Sequence, residues 1–186
     1  AERLSVGGIS GACTGNCTLK NVVYTGKVHT NTNSGSIGTV GAVGGISGTC
    51  KNCTIAKSEN HGEIEVNGEN SGDDTVIGGI VGKAESSLVV RCTNFGIAKT
   101  DEETGSKIGG IAGSGDNNTN ISKSYWSEEM SSDACGNDTG TTIDGSYSFN
   151  NGLVLSDGNN TSLLEAVRKN SNEGKWVSNK GRHIVT

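Results

Sequence analysis

The sequence predicts an all-β protein built as a solenoid of Gly-rich repeats. Three observations predict it: a recurring glycine motif, short apolar–polar alternation after each copy, and a composition poor in apolar residues. Hydrophobic residues make up 31% of the 186 residues, Gly supplies 30, and proline is absent. A stack of thin coils needs only a narrow column of small and branched side chains, so it suits this composition better than a globule with one thick core.

The motif Gly-Gly-Ile-x-Gly occurs four times, at 7–11, 44–48, 78–82 and 109–113, and each copy follows Val or Ile. The first glycines are separated by 37, 34 and 31 residues. A period of this length is typical of stacked repeats. The glycines are expected at corners, where they permit positive φ and a close approach of neighbouring layers. We expect the motif isoleucines to form one buried column: Ile9, Ile46, Ile80 and Ile111.

A second element ends in Gly and is followed by a short alternating run, at 27–29, 63–66 and 97–98. Alternation at period two predicts a strand with one buried face. Asn60 and Asn94 each lie two residues before the turn glycine. Simple turn propensity is the interpretation that we favour for them, and a short ladder of side-chain amides at one corner is the alternative.

The pattern Val-Gly-Gly-Ile-x-Gly, followed by a Cys/Tyr-x-Asn-x-Gly turn of which 92–96 is the best copy, resembles the GLUG motif. That motif recurs in bacterial filamentous-haemagglutinin-like adhesins and in protist surface antigens. The resemblance covers residues 1–126 and implies a right-handed parallel β-helix-like solenoid on a secreted or surface-anchored protein, without catalytic residues. From it we expect an extracellular structural or adhesive module of a surface or fibre protein.

The repeat pattern ends near residue 126, which divides the chain into solenoid repeats at 1–126 and a polar loop with a capping region at 127–186. Residues 127–145 are polar and rich in Gly, Asp, Ser and Thr, which predicts the loop. Capping elements are expected because an open solenoid end exposes unpaired backbone groups. They are short strands at 146–149 and 153–155, an amphipathic helix at 162–169, and a closing strand pair at 176–177 and 183–185.

Six cysteines, an even number, favour disulfides and an oxidising compartment: Cys13, Cys17, Cys50, Cys53, Cys92 and Cys135. The first four occur as two pairs at equivalent places just after the motif, so stacking brings the pairs together. Disulfides within or between these loops are the favoured interpretation, and a four-thiolate zinc site is the alternative. Cys92 and Cys135 are the remaining possible pair.

Seven Asn-x-Ser/Thr sequons indicate N-glycosylation of a secreted protein. They begin at Asn16, Asn52, Asn117, Asn120, Asn137, Asn159 and Asn160. Chance is the alternative, because Asn, Ser and Thr are abundant. We expect Asn117, Asn120, Asn137 and one of the adjacent pair 159–160 to be the most accessible.

Catalysis has little support in the sequence. The three histidines, His29, His61 and His183, lie far apart, and no HExxH motif occurs. The acidic pairs at 73–74 and 102–103 are adjacent residues, which point to opposite faces of a strand. A weak calcium site is their alternative. We therefore expect no enzyme, cofactor or resident metal; the competing hypothesis is a carbohydrate-binding or carbohydrate-active β-helix protein.

Net charge and hydropathy limit the kinds of partner that the chain can bind. A net charge of −5 argues against a nucleic-acid ligand. No apolar run approaches the roughly 18 residues of a membrane span. Residues 4–7 form a repeat-like layer without a cap, and an uncapped solenoid end seeks a partner. The expected partners are other copies of the chain or adjacent repeats of a longer protein, with glycans or a host surface as further candidates.

Overall fold

The computed structural model describes residues 3–31, 39–67, 75–100 and 106–150, and the backbone of 153–154, 161–162, 176–179 and 182–185. All regular structure in these residues is β-strand, which confirms the all-β prediction. The described part of the chain contains no helix long and apolar enough to cross a membrane.

Each repeat folds into one layer of short strands, which we call a rung. Rung 1 contains β1 (Arg3–Gly7), β2 (Ser10–Thr14), β3 (Thr18–Lys20), β4 (Val23–Tyr24) and β5 (Lys27–Asn31). Rung 2 contains β6 (Thr39–Gly44), β7 (Ser47–Lys51), β8 (Thr54–Ala56), β9 (Glu59–Asn60) and β10 (Glu63–Asn67). Rung 3 contains β11 (Val76–Gly78), β12 (Val81–Glu85), β13 (Leu88–Val90), β14 (Thr93–Asn94) and β15 (Ala98–Thr100).

The last two rungs are shorter. Rung 4 contains β16 (Lys107–Gly109), β17 (Ala112–Asp116), β18 (Asn120–Ser122) and β19 (Tyr125–Ser127). Rung 5 contains β20 (Cys135–Thr139), β21 (Thr142–Asp144) and β22 (Tyr147–Asn150). The remaining strands are β23 (Leu153–Val154), β24 (Thr161–Ser162), β25 (Trp176–Asn179) and β26 (Arg182–Val185).

Equivalent strands of successive rungs pair in parallel and form five sheets, which we name A to E. Sheet A is β1-β6-β11-β16, sheet B is β2-β7-β12-β17-β20, and sheet C is β3-β8-β13-β18-β21. Sheet D is β4-β9-β14-β19-β22, continued by the antiparallel β23 and β24, and sheet E is β5-β10-β15. The motif glycines Gly7, Gly44, Gly78 and Gly109 are directly paired, so the copies of the motif lie on one another.

Of the predictions for the region after residue 126, one is corrected, one lies largely outside the described residues, and one is confirmed. The predicted loop at 127–145 contains β20 and β21, whose backbones pair in register with β17 and β18, so the stack extends to Asn150. The loop prediction is wrong because an end rung is exposed on one side and needs few apolar residues to join the stack. The helix prediction lies outside the described residues at 163–169, and Ser162 belongs to β24. The closing pair is confirmed as antiparallel β25 and β26.

The core consists of two apolar columns. One joins sheets B and C through Ile46, Ile80 and Ile111, each fully buried. The other joins sheets A and E, and its buried members are Val28, Val43, Ile64, Val66, Ile77 and Met130. Ile9, predicted to be buried, is 50% exposed. That prediction is wrong because Ile9 lies in rung 1, where a described rung covers it on one side only.

The motif glycines are required by close backbone approach. A Cβ on Gly44 would overlap the Ser47 carbonyl oxygen, and a Cβ on Gly79 would overlap the Asn94 amide. A Cβ on Gly82 would lie 2.5 Å from the Val43 nitrogen. The expected positive φ is wrong for these positions, since the described glycines with positive φ lie elsewhere, at Gly15, Gly140 and Gly145. Glycine is needed here for space rather than for turn conformation.

A ladder of side-chain amides crosses the interior at sheet D. Asn60 and Asn94 are buried, and the Asn60 Nδ2 donates to the Asn94 Oδ1 at 2.9 Å. Each Oδ1 also accepts the N–H of the glycine two residues on, Gly62 at 2.9 Å and Gly96 at 3.0 Å. The ladder, the less favoured of the two interpretations, is therefore present, and the turn contacts occur with it.

Candidate functional site

A long groove runs outside the stack where the outer faces of sheets A and B meet. It has two adjoining parts of about 380 Å³ and about 290 Å³, which share Lys83, Glu85, Ser114 and Asn137. Its lining extends from Ser5 in rung 1 to Asn137 in rung 5. At the usual spacing of neighbouring strands, that distance is about 19 Å. The volume of the larger part is in the range of ligand-binding clefts.

The floor of the groove is a column of polar side chains from sheet B. Thr49, Lys83, Ser114 and Asn137 are paired from strand to strand, so they stack in register. The period of two in a strand turns these residues outward, while the residues beside them face the core. At the rung 1 end, the hydroxyls of Ser5 and Thr49 lie 2.7 Å apart and form a hydrogen bond.

The charges in the groove are partly compensated. The Lys83 Nζ lies 2.6 Å from the Glu85 Oε1, and the hydrogen bond from Lys83 lowers the pKa of the Glu85 carboxyl. Lys107 also lines the groove and forms no ion pair with a carboxylate of the described residues. The groove therefore offers hydroxyls, an amide and ammonium groups, which can form hydrogen bonds with a polar ligand.

Four of the six thiols lie together at one end of the stack. Cys13 in β2 lies directly opposite Cys50 in β7 in the strand register, and Cys17 and Cys53 pack in the same core cluster. A hydrogen bond with Cys13, together with burial, raises the pKa of the Cys17 thiol to about 11. Burial raises the pKa of Cys50 to about 12. The Cys17 and Cys50 thiols are therefore protonated at neutral pH and react slowly in the folded chain.

All six cysteines are free thiols in the structure, so the disulfides expected from the sequence gain no support from it. Cys92 and Cys135 lie in different parts of the stack: the Cys92 thiol donates to the Val90 carbonyl, and the Cys135 thiol donates to the Asn137 carbonyl. Among the described residues no set of three Cys, His, Asp or Glu side chains is placed to hold a metal, so the zinc alternative gains no support.

The sequons fall on different kinds of position. Exposed asparagines are Asn16, Asn52, Asn117 and Asn137. Asn120 lies in β18, half-buried, with its Oδ1 buried and without a hydrogen-bond partner, so the expectation that it is among the most accessible is wrong. Asn159 and Asn160 lie outside the described residues. The Asn16 N–H donates to the Asn52 carbonyl at 2.8 Å, which places these two sequons on adjacent rungs.

A buried acid–imidazole pair lies in sheet D and was not singled out from the sequence. The Glu59 carboxylate is 2% exposed, and its Oε2 lies 2.7 Å from the His61 Nε2. The His61 ring stacks on Phe95 with ring centroids 4.5 Å apart. The acidic pairs at 73–74 and 102–103 lie outside the described residues.

The groove column was also missed, although a signal for it exists. Thr49, Lys83 and Ser114 each lie three residues after the motif isoleucine, and Asn137 occupies the same register in rung 5. Aligning the repeats on that isoleucine shows a polar residue at this position in rungs 2 to 4. The equivalent residue in rung 1 is Ala12.

No match to this chain was found among protein families, curated proteins or solved structures.

Proposed function

We propose that the chain is a rigid, extracellular structural or adhesive module of a surface or fibre protein, folded as a right-handed parallel β-solenoid. The observation that carries the proposal is the in-register parallel pairing of sheets B, C and D through all five rungs. Such a stack gains length rung by rung without a wider core, which suits a projecting spacer or a fibre element. This functional assignment rests on the architecture of the stack and not on the chemistry of a particular site.

The strands of rung 1 form an edge on which a further rung of the same kind could stack. Each strand of rung 1 ends its sheet among the described strands. Leu4, Ile9 and Val23 are exposed hydrophobic residues of that rung. Unpaired strand edges bind further strands. We propose that a rung of a second copy, or adjacent repeats of a longer protein, covers this edge.

Thiol and glycan analysis of natural material tests the extracellular proposal. We expect the four clustered cysteines to be oxidised, and Cys92 and Cys135 to be free thiols. Alkylation in denaturant should then modify two cysteines before reduction and all six cysteines after reduction. Denaturant is needed because burial raises the pKa of the Cys92 thiol to about 12 and also raises the pKa of the Cys135 thiol, which suppresses their labelling in the folded chain. We expect a glycan at Asn117, which is exposed and lies outside the groove lining. Six reactive thiols and unmodified sequons would contradict the proposal.

Carbohydrate binding in the groove is the second candidate function, favoured by the polar column of Thr49, Lys83, Ser114 and Asn137. The double variant Lys83→Ala, Asn137→Ala removes two groove side chains, and Lys99→Ala, which lies outside the groove lining and forms its ion pair on sheet E, is the control. We expect oligosaccharide binding, followed by calorimetry, to weaken about tenfold in the double variant and to stay unchanged in the control. Absence of binding to neutral and acidic oligosaccharides at millimolar concentration would exclude this function.

A further inference from the structure

One corner of the stack, between sheets C and D, holds a column of left-handed residues. Asn21, Lys57, Arg91, Lys123 and Gly145 have φ values of 58°, 49°, 55°, 50° and 56°. The N–H groups of Lys57, Arg91 and Lys123 donate to carbonyl groups of the following rung at 3.0, 3.0 and 2.9 Å. These bonds keep the column in register, with neighbouring residues about 4.8 Å apart. We call Lys57, Arg91 and Lys123 the basic ladder.

The turn itself does not explain the basic ladder. Left-handed backbone conformation is strained for most residues. Gly adopts it freely, and Asn adopts it more readily than the remaining residue types. The ends of this column carry those two residue types, at Asn21 and Gly145. The corner between sheets B and C is also left-handed and carries small residues, at Asn16, Asn52, Ser86 and Gly140. Three basic residues stacked on successive rungs add repulsion between like charges to the backbone strain.

The positive charge of the basic ladder is not fully neutralised by carboxylates of the described residues. Lys27, Lys51, Lys83 and Lys99 each form an ion pair with a glutamate. By contrast, no carboxylate of the described residues lies within ion-pair distance of Arg91 or Lys123. Lys20, exposed in β3, adds a further cation beside Asn21, and Asp144 in β21 lies at the opposite end. The corner therefore presents a line of positive charge on a chain of net charge −5.

We propose that the basic ladder binds a linear anionic polysaccharide, which lies along the corner with its acidic groups against Lys57, Arg91 and Lys123. A single file of cations at the strand spacing matches a chain with one acidic sugar residue per rung. An anionic membrane would instead require a broad basic patch. The neighbouring positions of sheet C are Ala56, Val90 and Ser122, half-buried side chains against which a sugar ring can lie. None is aromatic, so the platform on which nucleic-acid bases stack is missing from these positions.

A triple substitution separates binding from folding. In the ladder variant, Lys57→Asn, Arg91→Asn and Lys123→Asn replace the cations with a residue that adopts left-handed backbone more readily. The matched control, Lys27→Asn, Lys51→Asn and Lys99→Asn, removes the same charge at exposed ion pairs elsewhere. The probe is heparin, a linear sulfated polysaccharide, and neutral dextran is the uncharged comparison. Binding is measured by calorimetry at low ionic strength, with thermal unfolding in parallel.

We expect heparin to bind the parent chain and the control alike, with dextran bound by neither. The ladder variant should bind heparin about 20-fold more weakly, since each charge contact of a half-buried surface cation contributes a few-fold. Its melting temperature should equal or exceed that of the parent. If the triple variant does not fold, Arg91→Asn should weaken binding about threefold and Arg91→Lys should restore it. Equal losses in both triple variants, no heparin binding by the parent, or tighter binding of single-stranded DNA or anionic vesicles would overturn the proposal.

Discussion

Ile46→Asp is expected to unfold the protein. Ile46 is 0% exposed and packs in the column that joins sheets B and C, with Ile80 and Ile111 in the same cluster. An aspartate there would bury an unpaired charge, which costs several kcal/mol. A domain of this size is stable by only about 5 to 15 kcal/mol, so the variant should lose its β circular dichroism signal or melt far below the parent.

Ile9→Asp is the matched control, because it makes the same change at the same motif position. Ile9 is 50% exposed, and we expect its substitution to change the free energy of unfolding by less than about 1 kcal/mol. Urea titration of both variants measures the difference. If Ile46→Asp were tolerated as well as Ile9→Asp, the isoleucine column would not be the core of the stack.

Asn94→Leu is expected to destabilise the protein by roughly 3 to 5 kcal/mol, because several buried polar groups would lose their partners at about 1 to 3 kcal/mol each. The Asn94 Oδ1 accepts from the Gly96 N–H at 3.0 Å and from the Asn60 Nδ2 at 2.9 Å. The Nδ2 donates to the carbonyls of Gly96 and Gly110 at 3.3 and 3.1 Å. Leucine fills a similar volume, so the loss reports the hydrogen bonds.

The control for this substitution is Asn118→Leu at an exposed turn position, where the backbone N–H and not the side chain contacts Asp116. We expect a change within about 0.5 kcal/mol in urea unfolding. A loss at Asn94 no greater than that at Asn118 would show that the amide ladder contributes nothing to stability.

Much of the fold followed from local pattern. The spacing of Gly-Gly-Ile-x-Gly predicted the stacked repeats, and the alternating runs at 27–29 and 63–66 predicted β5 and β10. Such patterns are informative because one strand has a period of two and each repeat needs its neighbour for burial. The groove was not predicted, because its wall consists of single outward residues contributed by separate rungs.

The sequence by itself determined the β class, the repeat, and the buried positions Ile46, Ile80 and Ile111, since these depend on composition and on residues close in the chain. Only the tertiary structure decided which copy lies at an edge, which leaves Ile9 half exposed although its local sequence is the same. It also decided the burial of Glu59 and the alignment of Lys57, Arg91 and Lys123. The reason is physical: stacking puts residues more than 30 positions apart about one strand spacing from each other, and exposure and charge repulsion depend on that distance.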